Sequence, residues 1–220
     1  MKQQIIDNIS ILLLKNGFLV KTIKGCFDIL ARKDSKILLI KTLEDANSLN
    51  NLAIKYMKNI ASTINATLII VGQKSGFKLK DDVVYTRLGI YTINFSTFRN
   101  FMNDKPLYVR SNKAGLTVQI NSERLKNLRE EENISTSLLS RKIGVSGAMI
   151  KRYENQDSEV SFNRAKKLYD IFGHNAFKPI AILSSKLEEE VNELSRYSIK
   201  YEQLGFTARD TKKVPFDIIA

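Results

Sequence analysis

Residues 134–154 read ISTSLLSRKIGVSGAMIKRYE, and this stretch decides how the second half of the chain folds. Ser135 stands where a helix N-cap belongs, since its hydroxyl can accept from an otherwise orphaned backbone N–H one turn on. Leu138, Leu139 and Ile143 recur at helical spacing, and Gly144 can end a helix at positive φ. Val145 is expected to plug the angle to a second helix, which Ser146 caps, Ile150 anchors inward, and Tyr153 and Glu154 close. Lys151 and Arg152 then lie on or near its outer face. Two short helices joined by so tight a turn, the second capped and basic, make a helix-turn-helix suited to the major groove of double-stranded DNA.

The flanks extend the pattern. Ser122–Arg129 (SERLKNLR) is a short amphipathic helix upstream, and Ser161–Phe172 (SFNRAKKLYDIF) is another downstream, ended by Gly173. With Leu125, Leu128 and Arg129, then Ile143 to Ser146, then Ile150, Tyr153 and Glu154 all in register, residues 121–175 resemble the lambda-repressor-like (Xre, Cro-type) DNA-binding domain. The resemblance implies a DNA-facing set of Ser135, Thr136, Ser146, Gly147, Ala148, Met149, Lys151 and Arg152. Where such domains often carry Gln this chain has Thr136, and where the recognition helix often opens with Arg or Gln it has Gly147 and Ala148. Bidentate base contacts from those places are lost. Ala148 or Met149 can still meet a thymine methyl, and Ser146, Lys151 and Arg152 can reach bases or phosphates, so direct readout is expected to be modest. Val160 replaces a frequent Pro, which bears on the stiffness of the loop before the last helix.

Composition agrees with a nucleic-acid partner. The 220 residues carry a net charge of +12, and 43% of them are apolar, enough for a real core. A single cysteine, Cys26, excludes an internal disulfide framework and any multi-cysteine metal cluster, and fits a reducing cytoplasm. The lone histidine, His174, has no partners for a metal site or a triad and reads as a surface or cap residue. No cofactor is expected. No apolar run reaches membrane-spanning length and no signal-peptide core opens the chain, so no membrane association is expected.

Residues 1–104 read as an α/β domain. Met1 to Gly17 is an amphipathic helix with Ile5, Ile6, Ile9, Leu12 and Leu13 on one face; three strands follow at 18–23, 27–32 and 36–42. A helix over 46–64 carries Leu49, Leu52, Ala53, Tyr56, Met57 and Ile60. Residues 66–71, with no polar face, form a buried strand; after a less regular segment comes a strand at 90–95, and Ser96 caps a closing helix. This order, with Phe27-Asp28-Ile29 followed by Leu38-Leu39-Ile40-Lys41, resembles the restriction-endonuclease-like fold and its Pro-Asp…(Asp/Glu)-x-Lys site. That resemblance implies two acids holding a divalent metal while the lysine helps activate water. Asp28 and Lys41 fill two of the three positions, but Leu39 occupies the acidic one, so the expectation is a nuclease fold without nuclease chemistry. In the alternative, Glu44 or Asp45 takes the metal role.

A hairpin at 105–120, containing Tyr108 and Arg110, reads as a stiff linker or a groove-contacting wing. Residues 184–220 echo the start of the chain: Gly17-Phe18 through Phe27-Asp28-Ile29-Leu30-Ala31 returns as Gly205-Phe206 through Phe216-Asp217-Ile218-Ile219-Ala220, and then stops. The expected architecture is therefore α/β plus all-α: a nuclease-like domain, a helix-turn-helix bundle and a truncated second repeat. Over essentially the whole chain this resembles the archaeal helix-turn-helix transcriptional regulators that set a lambda-repressor-like domain between two nuclease-like halves. It implies a sequence-preferring regulator, working as a homodimer because one small motif reads too few base pairs. A metal-dependent endonuclease guided by the motif, and an antitoxin-like or architectural DNA binder, are the competing readings.

Overall fold

The computed structural model describes residues 2–184, 195–206, 208–210 and 218–219. They fall into two compact units: one from the described parts of 1–81, 86–105 and 181–220, the other from 82–85 and 106–180.

In chain order the first unit opens with α1 (Lys2–Lys15), β1 (Leu19–Thr22), β2 (Ile29–Lys33), β3 (Lys36–Asp45) and α2 (Asn51–Thr63). Then come β4 (Thr67–Ser75), β5 (Phe77–Lys78), β6 (Val83–Arg87), of which Val83–Tyr85 belong to the second unit, β7 (Ile90–Ile93) and α3 (Phe95–Met102). β1, β2 and β3 form an antiparallel meander, whereas β4 joins β3 in parallel and β7 joins β4 in parallel. A parallel pair has to be covered on its faces, and accordingly Leu38, Leu39, Ile40, Leu68, Ile69, Ile70 and Val71 are all at most 1% exposed. Leu39 pairs with Leu68 in register and packs with Ile54, Met57, Ile60 and Ala61 of α2. The helix is rotated from the expected phase: Leu52 faces solvent and Ile54 turns inward. α3 is capped by Asn94, whose side chain accepts from the Thr97 N–H at 2.8 Å, so the expected cap at Ser96 is displaced by two residues. The segment expected to be irregular contains β5 and β6. Val83-Val84-Tyr85, a β-branched and aromatic run, was the available signal.

The second unit contains β8 (Val109–Asn112), β9 (Gly115–Gln119), α4 (Ser122–Glu131), α5 (Thr136–Ile143), α6 (Gly147–Asn155), β10 (Glu159–Ser161) and α7 (Phe162–Phe172). The hairpin of β8 and β9 contributes strands and core side chains to this unit. Val83–Tyr85 of β6 pairs in parallel with β8, β10 pairs antiparallel with β9, and Val118 and Ile120 enter the same core as Leu125, Leu139, Ile150 and Leu168. Val160 is therefore a buried strand residue opposite Val118 rather than part of a loop.

Two ionic contacts lock this unit. Arg129 on α4 meets Glu154 on α6 through two parallel bonds, Nε to Oε1 at 2.5 Å and an outer nitrogen to Oε2 at 3.1 Å, and its other outer nitrogen donates to the Ile134 carbonyl at 3.1 Å. The Glu154 side chain is 6% exposed, and the carboxylate it presents holds the guanidinium pKa above its already high range. Asp157 accepts from the Ser122 N–H and hydroxyl at the start of α4, and pairs with Lys178.

After the second unit the chain forms α8 (Arg196–Gln203), capped by Ser195, then Gly205 at φ +88° and the antiparallel pair β11 (Arg209–Asp210) with β12 (Ile218–Ile219). Asp210 accepts from the Ser195 N–H at 2.6 Å, and β11 lies against α2. The rest of the expected repeat, at 185–194, 207, 211–217 and 220, lies outside the described residues.

Removing one partner of a buried, bidentate pair leaves an uncompensated charge, so Arg129→Ala is expected to destabilise the second unit by about 3 kcal/mol. The double change Arg129→Met with Glu154→Leu should restore most of that stability in urea unfolding; equal losses in the single and double variants would refute the account. Acid should loosen the same unit by a separate route. The Lys178 ammonium and the Ser122 donors hold the Asp157 carboxyl below its usual range, so its stabilisation is complete above the unfolded pKa near 3.8 and is lost as pH falls through the folded value. Hydrogen exchange at the start of α4 should accelerate below about pH 4 in the wild type. In Asp157→Asn it should already be fast at neutral pH and change less on acidification.

Candidate nucleic-acid interface and the nuclease-like pocket

α5 and α6 are built as their sequence implies. The Ser135 hydroxyl accepts from the Leu138 N–H at 3.1 Å and the Ser146 hydroxyl from the Met149 N–H at 3.2 Å. Gly144 ends α5 at φ +77° and ψ 49°, a left-handed geometry that disfavours any Cβ. Leu139, Ile143 and Ile150 are essentially fully buried, but Leu138 is 37% exposed and stands outside the core. Val145 is half-buried against that core, as the turn requires.

Of the eight residues expected to face DNA, Ser135, Ser146, Ala148, Lys151 and Arg152 are exposed, while Thr136 and Gly147 are half-buried. Met149 is half-buried and packs on the helical core, so its side chain is partly committed to the interior. What α6 offers outward is a short face of Ala148, Lys151 and Arg152 with Ser146 at its N-terminus, on a helix with no acid in its first turn. Sequence reasoning missed the Arg129–Glu154 pair that holds this helix. The Arg at the end of α4 and the Glu at the end of α6 were both quoted as pattern residues, yet their distance in sequence hid the contact.

In the first unit, Asp28 and Lys41 do come together. Asp28 is 6% exposed, and both of its oxygens are occupied. Oδ1 meets the Lys2 ammonium at 2.9 Å and the Lys41 ammonium at 3.4 Å; Oδ2 accepts from the Thr42 N–H at 2.7 Å and the Thr42 hydroxyl at 3.0 Å. Lys41 also donates to the Gly25 carbonyl at 3.0 Å. Burial pushes the Lys41 pKa down, opposed by the Asp28 charge, and burial likewise pushes the neighbouring Cys26 thiol up. Leu39 brings no ligand oxygen to this cluster; it is 0% exposed within the apolar packing against α2. Asp45 is used elsewhere, accepting from the Asn47 N–H at 2.9 Å, and Glu44 is exposed. No group of three or more acidic, histidine or cysteine side chains stands together among the described residues. The donor set around Asp28 is cationic and its lone pairs are filled, so these residues do not fit a divalent metal. Lys2, at the start of α1, and Thr42 were not foreseen as members of the cluster.

His174 is exposed in a short 3-10 turn, consistent with a surface role. No helix among the described residues is long and apolar enough to cross a membrane.

Residues 2–107 match the model of the PD-(D/E)XK superfamily domain, and residues 125–173 match a helix-turn-helix model. Three relatives carry the name "Putative HTH-type transcriptional regulatory protein". That from Pyrococcus furiosus is 33% identical over 89% of this chain and 65% of its own length. The Archaeoglobus fulgidus protein is 33% identical over 92% and 68%, and that from Methanothermobacter thermautotrophicus 33% over 100% and 71%. The chain thus spans about two thirds of the length of these relatives. No solved structure matches it. At these identities, with both domain models matched in order, the chain belongs to the archaeal family of HTH-type transcriptional regulatory proteins.

Proposed function

We propose that this protein is a sequence-preferring DNA-binding transcriptional regulator that lays α6 in the major groove. The observation that carries the reading is the outward face of α6: Ser146, Ala148, Lys151 and Arg152 exposed on a helix whose opposite side is locked by Ile150, Tyr153 and Glu154. Lys151 and Arg152 serve phosphates, and Ala148 and Ser146 supply a small, shape-dependent base contact. The relatives are named as regulators, which supports the same assignment. A single buried thiol suits a cytoplasmic setting.

The nuclease-like domain acts without cutting. Its support is the caged Asp28 and the buried Leu39 described above. An endonuclease remains the second reading, because the superfamily match covers the whole domain.

We further read the α8 segment as a second copy of the opening motif, and as a contact between two chains. Gly205 at φ +88° answers Gly17 at φ +79°, and the pairing of Asp210 with Ile218 answers that of Thr22 with Ile29, one residue longer. On this equivalence Tyr197, Tyr201 and Phe206, which are 67%, 44% and 55% exposed, stand where Ile9, Leu13 and Phe18 are buried. A face of that kind asks for cover. A two-fold dimer covers it and presents two recognition helices one DNA turn, roughly 34 Å, apart.

Replacing Lys151 and Arg152 together with Ala should weaken duplex binding and lower the log–log salt slope by about two. Unchanged affinity and slope would remove α6 as the recognition element. Linear, supercoiled and branched DNA should survive incubation with the protein in magnesium or manganese, and binding should persist in Asp28→Asn. Cleavage that this substitution abolishes would establish the endonuclease instead. In light scattering at micromolar concentration the wild type should be a dimer and the Tyr197→Lys, Tyr201→Lys variant a monomer; a monomeric wild type, or a dimer indifferent to the change, would end the assembly model.

A further inference from the structure

The carboxyl ends of β4 and β7 frame a cavity of about 530 Å³ within the first unit, the size of a small-molecule site. Open α/β sheets leave a crevice at this end of their strands. Its walls are Ile5 of α1, Val71 of β4, Phe77 and Leu79 at β5, and Phe95 and Ser96 at the start of α3. Hydrogen bonds among these walls set the shape: the Leu79 N–H donates to the Gln73 carbonyl at 3.0 Å, and the Asn94 side-chain amide donates to the Leu79 carbonyl at 3.0 Å. Two cations interrupt an otherwise mostly apolar lining. Lys74 and Lys78 both line the cavity and are direct cross-strand partners in the β4–β5 hairpin, where like charges repel. The hairpin does not let them part: Gly76 turns at φ +74° with its N–H on Asp45 Oδ1 at 3.4 Å, and the Ser75 hydroxyl donates to Asn47 Oδ1 at 3.1 Å. Asp45 is the β3 neighbour of Lys74, yet its carboxylate is taken by the Asn47 and Gly76 N–H groups. Among the described residues no acid lines the cavity.

We propose that this cavity binds a small aromatic carboxylic acid, its ring on Ile5, Val71, Leu79 and Phe95 and its carboxylate between Lys74 and Lys78. A carboxylate has two oxygens, one for each ammonium, and so relieves the repulsion that the hairpin holds in place. The ring accounts for the rest of the lining. A bare anion leaves the apolar walls wet, a neutral ring leaves the two lysines facing each other, and a cation is repelled. Phe77, 59% exposed, adds an aromatic wall. The site shares no lining residue with the Asp28 cluster, and it stands whether or not α6 reads DNA.

The chain has no tryptophan, so the fluorescence anisotropy of an indole probe reports on the probe alone. The full chain is titrated with indole-3-acetate, with its neutral isostere indole-3-acetamide and with the cation tryptamine, and sodium acetate is added as a competitor at fixed ionic strength. Indole-3-acetate should bind about tenfold tighter than the amide, tryptamine should be weakest, and equimolar acetate should not displace the acid. Hydrogen exchange over residues 71–79 and 94–98 should slow with the bound acid. Lys74→Gln with Lys78→Gln should lower the affinity for the acid to that for the amide and leave the amide unchanged. Phe77→Ser should weaken acid and amide alike and keep their ratio. All three side chains are exposed, so the fold should be kept, which the exchange pattern of β3 reports. The proposal is overturned if no probe binds, if the amide or tryptamine binds as tightly as the acid, or if acetate displaces it. It is overturned equally if exchange slows only elsewhere, if the preference for the acid survives the lysine changes, or if Phe77→Ser leaves both affinities as they were.

Discussion

Glu154 is a carboxylate 6% exposed in the middle of a helical bundle, and the geometry of the second unit depends on Arg129 reaching it. A buried carboxylate is tolerated only when its charge is paired and its lone pairs are filled, and the planar guanidinium does both at once. The pair crosses from α4 to α6, and the third Arg129 bond goes to the Ile134 carbonyl just before α5. One side chain thus ties together the three helices that decide where Lys151 and Arg152 point. The apolar core holds the helices together; the ion pair fixes their registry, which apolar contacts leave loosely specified.

Asp28 meets the same physical demand with a different outcome. Its partners are flexible ammonium groups, one peptide N–H and one hydroxyl, rather than a fork. That cage suits an internal charge and excludes a divalent cation, because the oxygens that would ligate it already accept. Leu39 stands in place of the second acid, and the carboxylate that remains is paired with Lys2 as well as Lys41. The match to the superfamily domain runs over residues 2–107, while the one acid of its motif that this chain keeps, Asp28, is held by two lysines and Thr42.

What could be read from the sequence follows the range over which each feature is specified. Caps, the Gly144 turn and the α5–α6 register are set by residues within one helical turn of each other, and they fall where the sequence put them. The run Leu68–Val71 declares a buried strand because it has no polar face. The phase of α2 was misjudged because Leu52 and Ile54 are equally apolar, and only the sheet beneath decides which turns inward. β10 was missed for the opposite reason: three residues carry too little pattern, and pairing with β9 makes them a strand. Around Asp28 the sequence pattern supplied Lys41, two strands being adjacent by topology. Lys2 lies on a helix whose packing the pattern does not encode, so its contact with Asp28 was not legible.

The proposed second copy of the opening motif departs from the first in a telling way. In the first copy Ile9, Leu13 and Phe18 are sealed under the sheet and α3; the equivalent Tyr197, Tyr201 and Phe206 are open. Aliphatic side chains are favoured where water never returns, whereas a tyrosine has an apolar body and a hydroxyl that can stay wet, the combination enriched at surfaces that associate. Tyr201 and Phe206 already meet edge to face, with ring centroids 6.4 Å apart, so part of that face is organised before any partner arrives. A motif that closes a core at one end of the chain is, at the other, built with side chains that tolerate both solvent and contact. The two segments thus share a turn and a strand pairing and differ in the side chains on this face, Tyr197 and Tyr201 standing exposed where Ile9 and Leu13 are buried.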